Sequence, residues 1–159
     1  MLSINPFQFD KSVHISAHID RLQSVVQACW PMFGSLPSIL RQAFEEVYID
    51  CGWDLELSRR VINRGREFPT FADMIPVAER IIDESGYSAN SISEYKGALT
   101  MRIKKMMTGF EGRIFSQSKG IDDKVLFDEY TVVDLSDIGN AETRSIIMGI
   151  LIIRLREYR

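Results

Sequence analysis

The sequence has little of what would announce an enzyme or a secreted protein. Cys29 and Cys51 are its only cysteines, too few for a disulfide framework. Each falls in an apolar helical pattern, as suits a reduced core thiol of a cytosolic protein. Neither G-x-x-x-x-G-K-[ST] nor G-x-G-x-x-G occurs, so the chain itself carries no nucleotide cradle of the usual kind. The nearest glycine pair, Gly109 and Gly112, has no lysine and no strand before it. The longest apolar run, Ile146 to Ile153, is well short of a membrane span. Met1-Leu2-Ser3-Ile4-Asn5-Pro6 has neither the basic nor the apolar region of a signal peptide. Positive charge is also not in excess: a net charge of −3 argues against a dedicated nucleic-acid-binding module. Low-complexity segments and internal repeats are missing too. The expectation is a soluble, cytoplasmic protein with no membrane partner.

What is present is an ordinary core-forming chain. With 159 residues, 45% apolar and 26% charged, residues 1–159 are expected to form a single domain with a real core. Residues 1–10 read as an extended or edge-strand segment, since LSINPFQF alternates around Pro6. Residues 14–111 read as helical. His14, Ile15, His18, Ile19, Leu22, Val25, Val26, Cys29 and Trp30 make an amphipathic stripe that Pro31 and Gly34 end. A second helix starts at Ser35-Leu36-Pro37 and stops at Gly52. Trp53 to Phe68, with Arg59, Arg60, Arg64 and Arg66, reads as a polar loop holding a helical turn. Thr70 and Asp73 make a capping-box start for a third helix ending at Gly86, with Pro76 positioned to kink it. Ser88 to Ser91 cap a longer helix reaching Phe110, which Gly109 and Gly112 break. Gly112 to Ser118 then reads as a turn or short strand and Ile121 to Glu129 as a connection.

Residues 130–159 are the most distinctive part. Tyr130 to Leu135 reads as a short buried strand with Asp134 at its carboxyl end. Asn140 is the expected N-cap of a final helix, with Glu142 in its first turn. That helix is apolar on nearly every face, from Ile146 through Leu155, and so expects protein on all sides.

Few residues suggest chemistry. Thr131-Val132-Val133-Asp134 has the outline of a Walker B strand, but Leu135 stands where a second acid would follow. An aspartate before a turn has the simpler role of a capping residue. His14 and His18 share the i, i+4 spacing of two metal ligands, yet no acid lies between them. Partly buried, hydrogen-bonded histidines are the simpler reading. Arg102, Lys104, Lys105 and Arg113 are candidates for a phosphate or nucleic-acid contact, diluted by Glu94 and Glu111.

With these residues in view, the chain resembles the HerA/FtsK-type P-loop ATPases, including the HerA-like and conjugation (type IV secretion) branches. Ser3-Ile4-Asn5-Pro6-Phe7 is similar to the family's "INP" segment, on the strand soon after the Walker A helix. Thr131-Val132-Val133-Asp134-Leu135-Ser136 is similar to its "DLS" strand, which a long helix and then the Walker B strand follow. Gly112-Arg113-Ile114-Phe115 looks like part of the helical insertion between those marks. The motifs are short, though together they span nearly the whole chain.

The resemblance implies an internal fragment, with the Walker A lysine before Met1 and the Walker B acids after Arg159. ATP and magnesium would belong to the parent, which would form a homo-oligomeric ring that moves DNA or protein. Arg144, following the "DLS" strand, is the candidate arginine finger. The expected fold is mostly α: a four- to five-helix bundle whose short flanking strands are remnants of a RecA-like α/β core. The expected function is that of a helical insertion contributing partner or subunit contacts, not catalytic alone. The rivals are a stand-alone helical adaptor without nucleotide binding and a small metal-dependent enzyme built on His14 and His18.

Overall fold

The first amphipathic stripe becomes α1 (Ile15–Cys29) in the computed structural model, which describes residues 1–159. The His14 Nδ1 caps it by accepting the Ser16 amide at 3.3 Å. The second stripe becomes α2 (Leu36–Asp50), with Pro37 in its first turn and Gly52, at φ +93°, just past its end. Thr70 and Asp73 close a reciprocal capping box on α3 (Phe71–Glu84). Pro76 lies inside α3 without ending it.

The chain is mostly helical, and the helices beyond Ser88 are shorter than expected. In place of one long helix there are three: α4 (Ala89–Ala98), α5 (Thr100–Met106) and α6 (Gly109–Phe115). The break at Leu99 lets Tyr95 pack between Phe33 and Tyr87 while Leu99, Ile103 and Met106 enter the core. Gly112 to Phe115 is helical, not a turn or strand, and Gly112 is required there: a Cβ would lie 2.1 Å from the Met107 carbonyl. The expected connection at 121–129 holds the short helix α7 (Asp123–Phe127), and α8 (Ala141–Tyr158) closes the chain.

Neither expected flanking strand forms. The sheet consists of β1 (Trp53–Asp54) and β2 (Arg59–Arg60), antiparallel with Asp54 opposite Arg59. This hairpin stands where a polar loop with a helical turn was expected. Local chemistry explains it: Asp54 Oδ1 accepts the Leu57 amide at 2.8 Å, and Ser58 takes the left-handed conformation at φ +51°.

The amino-terminal segment is not an edge. Ile4, Asn5 and Phe7 are fully buried. The Ile4 amide donates to the Ile114 carbonyl at 2.8 Å, and the Ile121 amide donates to the Ser3 carbonyl at 2.9 Å. Buried Asn5 is well satisfied: its amide nitrogen donates to the Pro69 and Ser118 carbonyls at 2.8 and 2.7 Å, and its oxygen accepts the Phe7 amide. The Phe7 ring meets Phe44, Tyr48 and Phe71 edge-on, with centroids 5.5–5.8 Å apart. One hydrophobic core, running in sequence from Ile4 to Ile150, gathers around this segment.

A buried ionic cluster ties that segment to α1 and α8. His18 Nε2 donates to the Pro6 carbonyl at 2.9 Å, and its Nδ1 faces the Glu157 carboxylate at 2.9 and 3.0 Å. Arg21 adds a donor to Glu157 at 2.9 Å. Gly149 lets α8 approach α1, since a Cβ there would sit 2.4 Å from a Val25 methyl. Arg154 is also buried, donating to the Ile121 carbonyl at 2.5 Å with Asp123 2.7 Å away. Burial pushes the Arg154 guanidinium down and the Asp123 carboxyl up, each opposed by the charge of the other.

Removing one partner from a buried pair leaves the other uncompensated. Glu157→Ala should therefore lower stability in urea denaturation by about 3–5 kcal/mol, with Glu157→Gln losing less. A change below about 0.5 kcal/mol, the size of an ordinary surface substitution, would count against the cluster. The cysteines give a second prediction. Burial pushes the Cys29 and Cys51 thiols above their ordinary 9.0, with the charges of Glu142 and Asp73 adding to it. Both thiols stay protonated at neutral pH, so iodoacetamide should alkylate them more slowly than a free thiol and accelerate only in more alkaline buffer.

Candidate functional site

The final strand–helix unit forms differently from expectation, and the difference creates a surface. Asn140 caps α8 as expected, its side-chain oxygen accepting the amides of Glu142 and Thr143 at 2.8 and 3.3 Å. One face of α8 is buried: Thr143, Ile146, Ile147, Ile150, Ile153, Arg154 and Glu157. The opposite stripe keeps Met148, Ile152 and Leu155 exposed at 54%, 65% and 42%. The uniformly apolar helix is thus covered on one side only, and its buried face carries two charges that the apolar run did not suggest.

Tyr130 to Leu135 is extended but not a buried strand. No backbone–backbone hydrogen bond involves Tyr130 through Asp134, and Tyr130 and Val132 are 111% and 91% exposed. The segment runs back from the carboxyl end of α8, where Tyr158 meets Asp128, to its amino end at Ile138. Asp134 accepts the Ser136 amide at 2.9 Å. That backbone bond and the Ser136 hydroxyl hold its carboxyl below the usual carboxylate range. It acts as a turn residue. Unpaired backbone in an extended, β-branched segment is a template for pairing with another strand. An exposed apolar helix stripe likewise marks a contact surface.

The other candidate residues do not converge. Arg144, in the first turn of α8, donates to the Ile138 carbonyl at 2.8 Å and so braces the turn before the helix. His14 is exposed, with Nε2 3.2 Å from the Glu56 carbonyl. His18 is buried and has both ring nitrogens engaged. The i, i+4 spacing therefore brings no pair of free imidazole nitrogens together, because α1 turns His18 inward and leaves His14 at the cap. Lys104 pairs with Glu79 of α3 at 2.7 Å. Lys105 lines a shallow depression with Glu111 and Asp137, and Arg113 is exposed on α6. Arg102 is half-buried. Two of the four bases, Lys104 and Lys105, thus stand beside carboxylates.

Sequence reasoning missed a cleft between α2, α3 and the loop after the hairpin that gathers Arg64, Arg66 and Arg80 beside Asp50 and Asp73. Arg80 gave no signal, because it lies on α3, well beyond the loop that carries the other two.

Ile152→Lys should leave stability within about 0.5 kcal/mol, as for an exposed site. It should also reduce binding of an apolar dye and any concentration-dependent association seen by sedimentation. Destabilisation by several kcal/mol would show that the stripe is covered. No helix is long and apolar enough to cross a membrane. Compared with known proteins, the chain matches no family model, and no curated protein or solved structure shows significant similarity to it.

Proposed function

We propose that the chain is the helical-insertion region of a HerA-like, ATP-dependent translocase of DNA or protein. In this reading it contributes subunit or partner contacts and is not catalytic alone. The observation that carries it is the unpaired segment Tyr130 to Asp134 leading into a helix with one bare apolar stripe. A β-branched segment and a two-sided apolar helix are what a strand–helix unit of a larger sheet presents when its neighbours are elsewhere. The similarity of Ser3 to Phe7 and of Thr131 to Ser136 to the family's motifs supports the same reading.

The residues present do not fit a nucleotide. No glycine loop offers backbone donors to phosphates, and the exposed Asp134 carboxylate is occupied by the Ser136 amide. ATP and magnesium would be held by the parent's own motifs. Arg144 would have to release the Ile138 carbonyl to serve as a finger.

A second reading, a stand-alone helical adaptor, is favoured by the continuous core, which already includes Ile146, Ile147 and Ile150 of α8. The gene sequence on either side separates the two. A Walker A motif shortly before Leu2 and an acidic-ended strand after Arg159 are expected for the translocase region. A start codon at Met1 and a stop after Arg159 would favour the adaptor. In the full protein, Arg144→Ala should lower ATP turnover by about 10³-fold or more if the arginine is a finger. Unchanged turnover would confine it to bracing the turn.

A further inference from the structure

We propose that the bare stripe of α8 is a two-fold seam on which a second copy of the chain docks, its own α8 running antiparallel to the first. The proposal rests on the reading above, that this face is made to be covered, and names the cover.

Spacing gives the shape of the occupant. Beyond the first turn, the exposed residues of α8 are Ser145, Met148, Ile152, Leu155 and Arg156. The first four advance in steps of three, four and three residues, as the a and d positions of a heptad do. A helix face that packs on a broad core is about 100° wide or more, whereas an a/d stripe is the narrower seam that receives one helix. Charged residues close its edges, Glu142 and Arg156 on one side and Arg144 on the other. The open segment Tyr130 to Asp134 suits a strand; this stripe suits a helix.

Charge identifies that helix. Glu142 and Arg156 lie on the same edge of the stripe, one heptad before and one heptad after Gly149. Both are exposed, in the first and last turns of α8, and neither side chain has a hydrogen-bond or ion-pair partner within the chain. A two-fold axis through the middle of α8 brings Glu142 against the second copy's Arg156, and Arg156 against its Glu142. Such a contact is self-complementary. The same rotation lays Met148 on Ile152 and Ser145 on Leu155, the layers of an antiparallel pair. On the other edge Arg144 meets Tyr158, so no like charges are opposed. Opposite ends of the two helix dipoles also come together. A parallel pair would leave Glu142 and Arg156 a helix length apart.

The burial comes from Met148, Ile152 and Leu155, while the exposed charge pairs, worth little alone, set direction and partner. Three apolar anchors per copy make a small interface, so the dimer is weak, with a Kd on the order of 100 µM.

The test is sedimentation equilibrium of the chain from about 10 µM to about 1 mM, where a monomer–dimer equilibrium is expected. Ile152→Lys should remove it. Glu142→Lys and Arg156→Glu should each weaken it about tenfold, since both charge pairs of the dimer become repulsive. Each variant should keep a cooperative thermal melt, both sites being exposed. An equimolar mixture of the two should associate about as well as the unaltered chain, because each unlike pair restores both contacts. A monomer at the highest concentration would overturn the proposal, and so would a dimer indifferent to Ile152→Lys. A mixture no better than its components would overturn the antiparallel pairing. A monomer from a gene flanked by Walker motifs would sink the seam and leave the translocase reading intact. A rescued dimer from a gene that starts at Met1 and stops after Arg159 would uphold the seam and overturn that reading.

Discussion

The His18 ring, held between a backbone carbonyl and a buried carboxylate, is the constraint on which the rest of the structure depends. A carbonyl can only accept, so the ring donates from Nε2 to Pro6 and meets Glu157 through Nδ1. One side chain thereby joins residues near the start of the chain, the first helix and the last turn of α8. Burying a carboxylate is costly unless it is paired and fully hydrogen-bonded, and Arg21 completes the pairing from the surface side. Stacked against Phe9 at 5.0 Å, the ring has little freedom to take another position. A displaced α8 would strand Glu157, and a displaced amino-terminal segment would leave both the Pro6 carbonyl and His18 unsatisfied. The cluster therefore fixes register more than it adds stability.

That fixed register makes the two flanks of the helical region unlike each other. The amino-terminal flank is consumed inside the protein. Asn5 satisfies itself on two loop carbonyls, and the Tyr48 hydroxyl closes on the Phe7 carbonyl. The later flank stays outside. Once α8 is oriented by Glu157 and Gly149, its Met148–Ile152–Leu155 stripe must face away from α1, and the segment that returns along it has no ladder partner. An exposed β-branched segment and a bare apolar helix stripe are each costly to leave in water, and the segment is prone to pairing. The proposed function takes this face as one made to be covered by further structure.

The legible parts of the fold were those set by local chemistry. Apolar periodicity located α1, α2 and α3, and the Thr70–Asp73 box and Asn140 marked helix starts within a residue. Gly52 and Gly86 were readable as stops because both take positive φ. The misread parts depend on distant partners. The hairpin is the exception: its turn is local, held by the Asp54–Leu57 bond and the left-handed Ser58, but no glycine, proline or asparagine marks it. The break at Leu99 answers to where Tyr95 and Ile103 find their neighbours, not to a glycine or proline. Arg154 and Glu157, which the apolar run gives no reason to bury, are both buried because their partners Asp123 and His18, remote in sequence, receive them. The same limit applied to the sites. Arg59, Arg60, Arg64 and Arg66 were visible as a group, but the cleft that Arg64 and Arg66 edge needs α2 and α3 beside them. His14 and His18 had metal spacing, yet the fold spends them separately.

The central claim, that the segment from Tyr130 to Leu135 is an open edge which further structure covers, is tested most directly by amide hydrogen exchange on this chain alone and on the full gene product. Alone, Thr131 to Asp134 should exchange at nearly the rate of an unstructured peptide, while the amides of α1 and α8 are slow. In the full product the same four amides should slow by about a hundredfold or more, as for a strand within a sheet. Equal, unprotected exchange in both would contradict the claim and leave an exposed connector beside a self-sufficient helical domain.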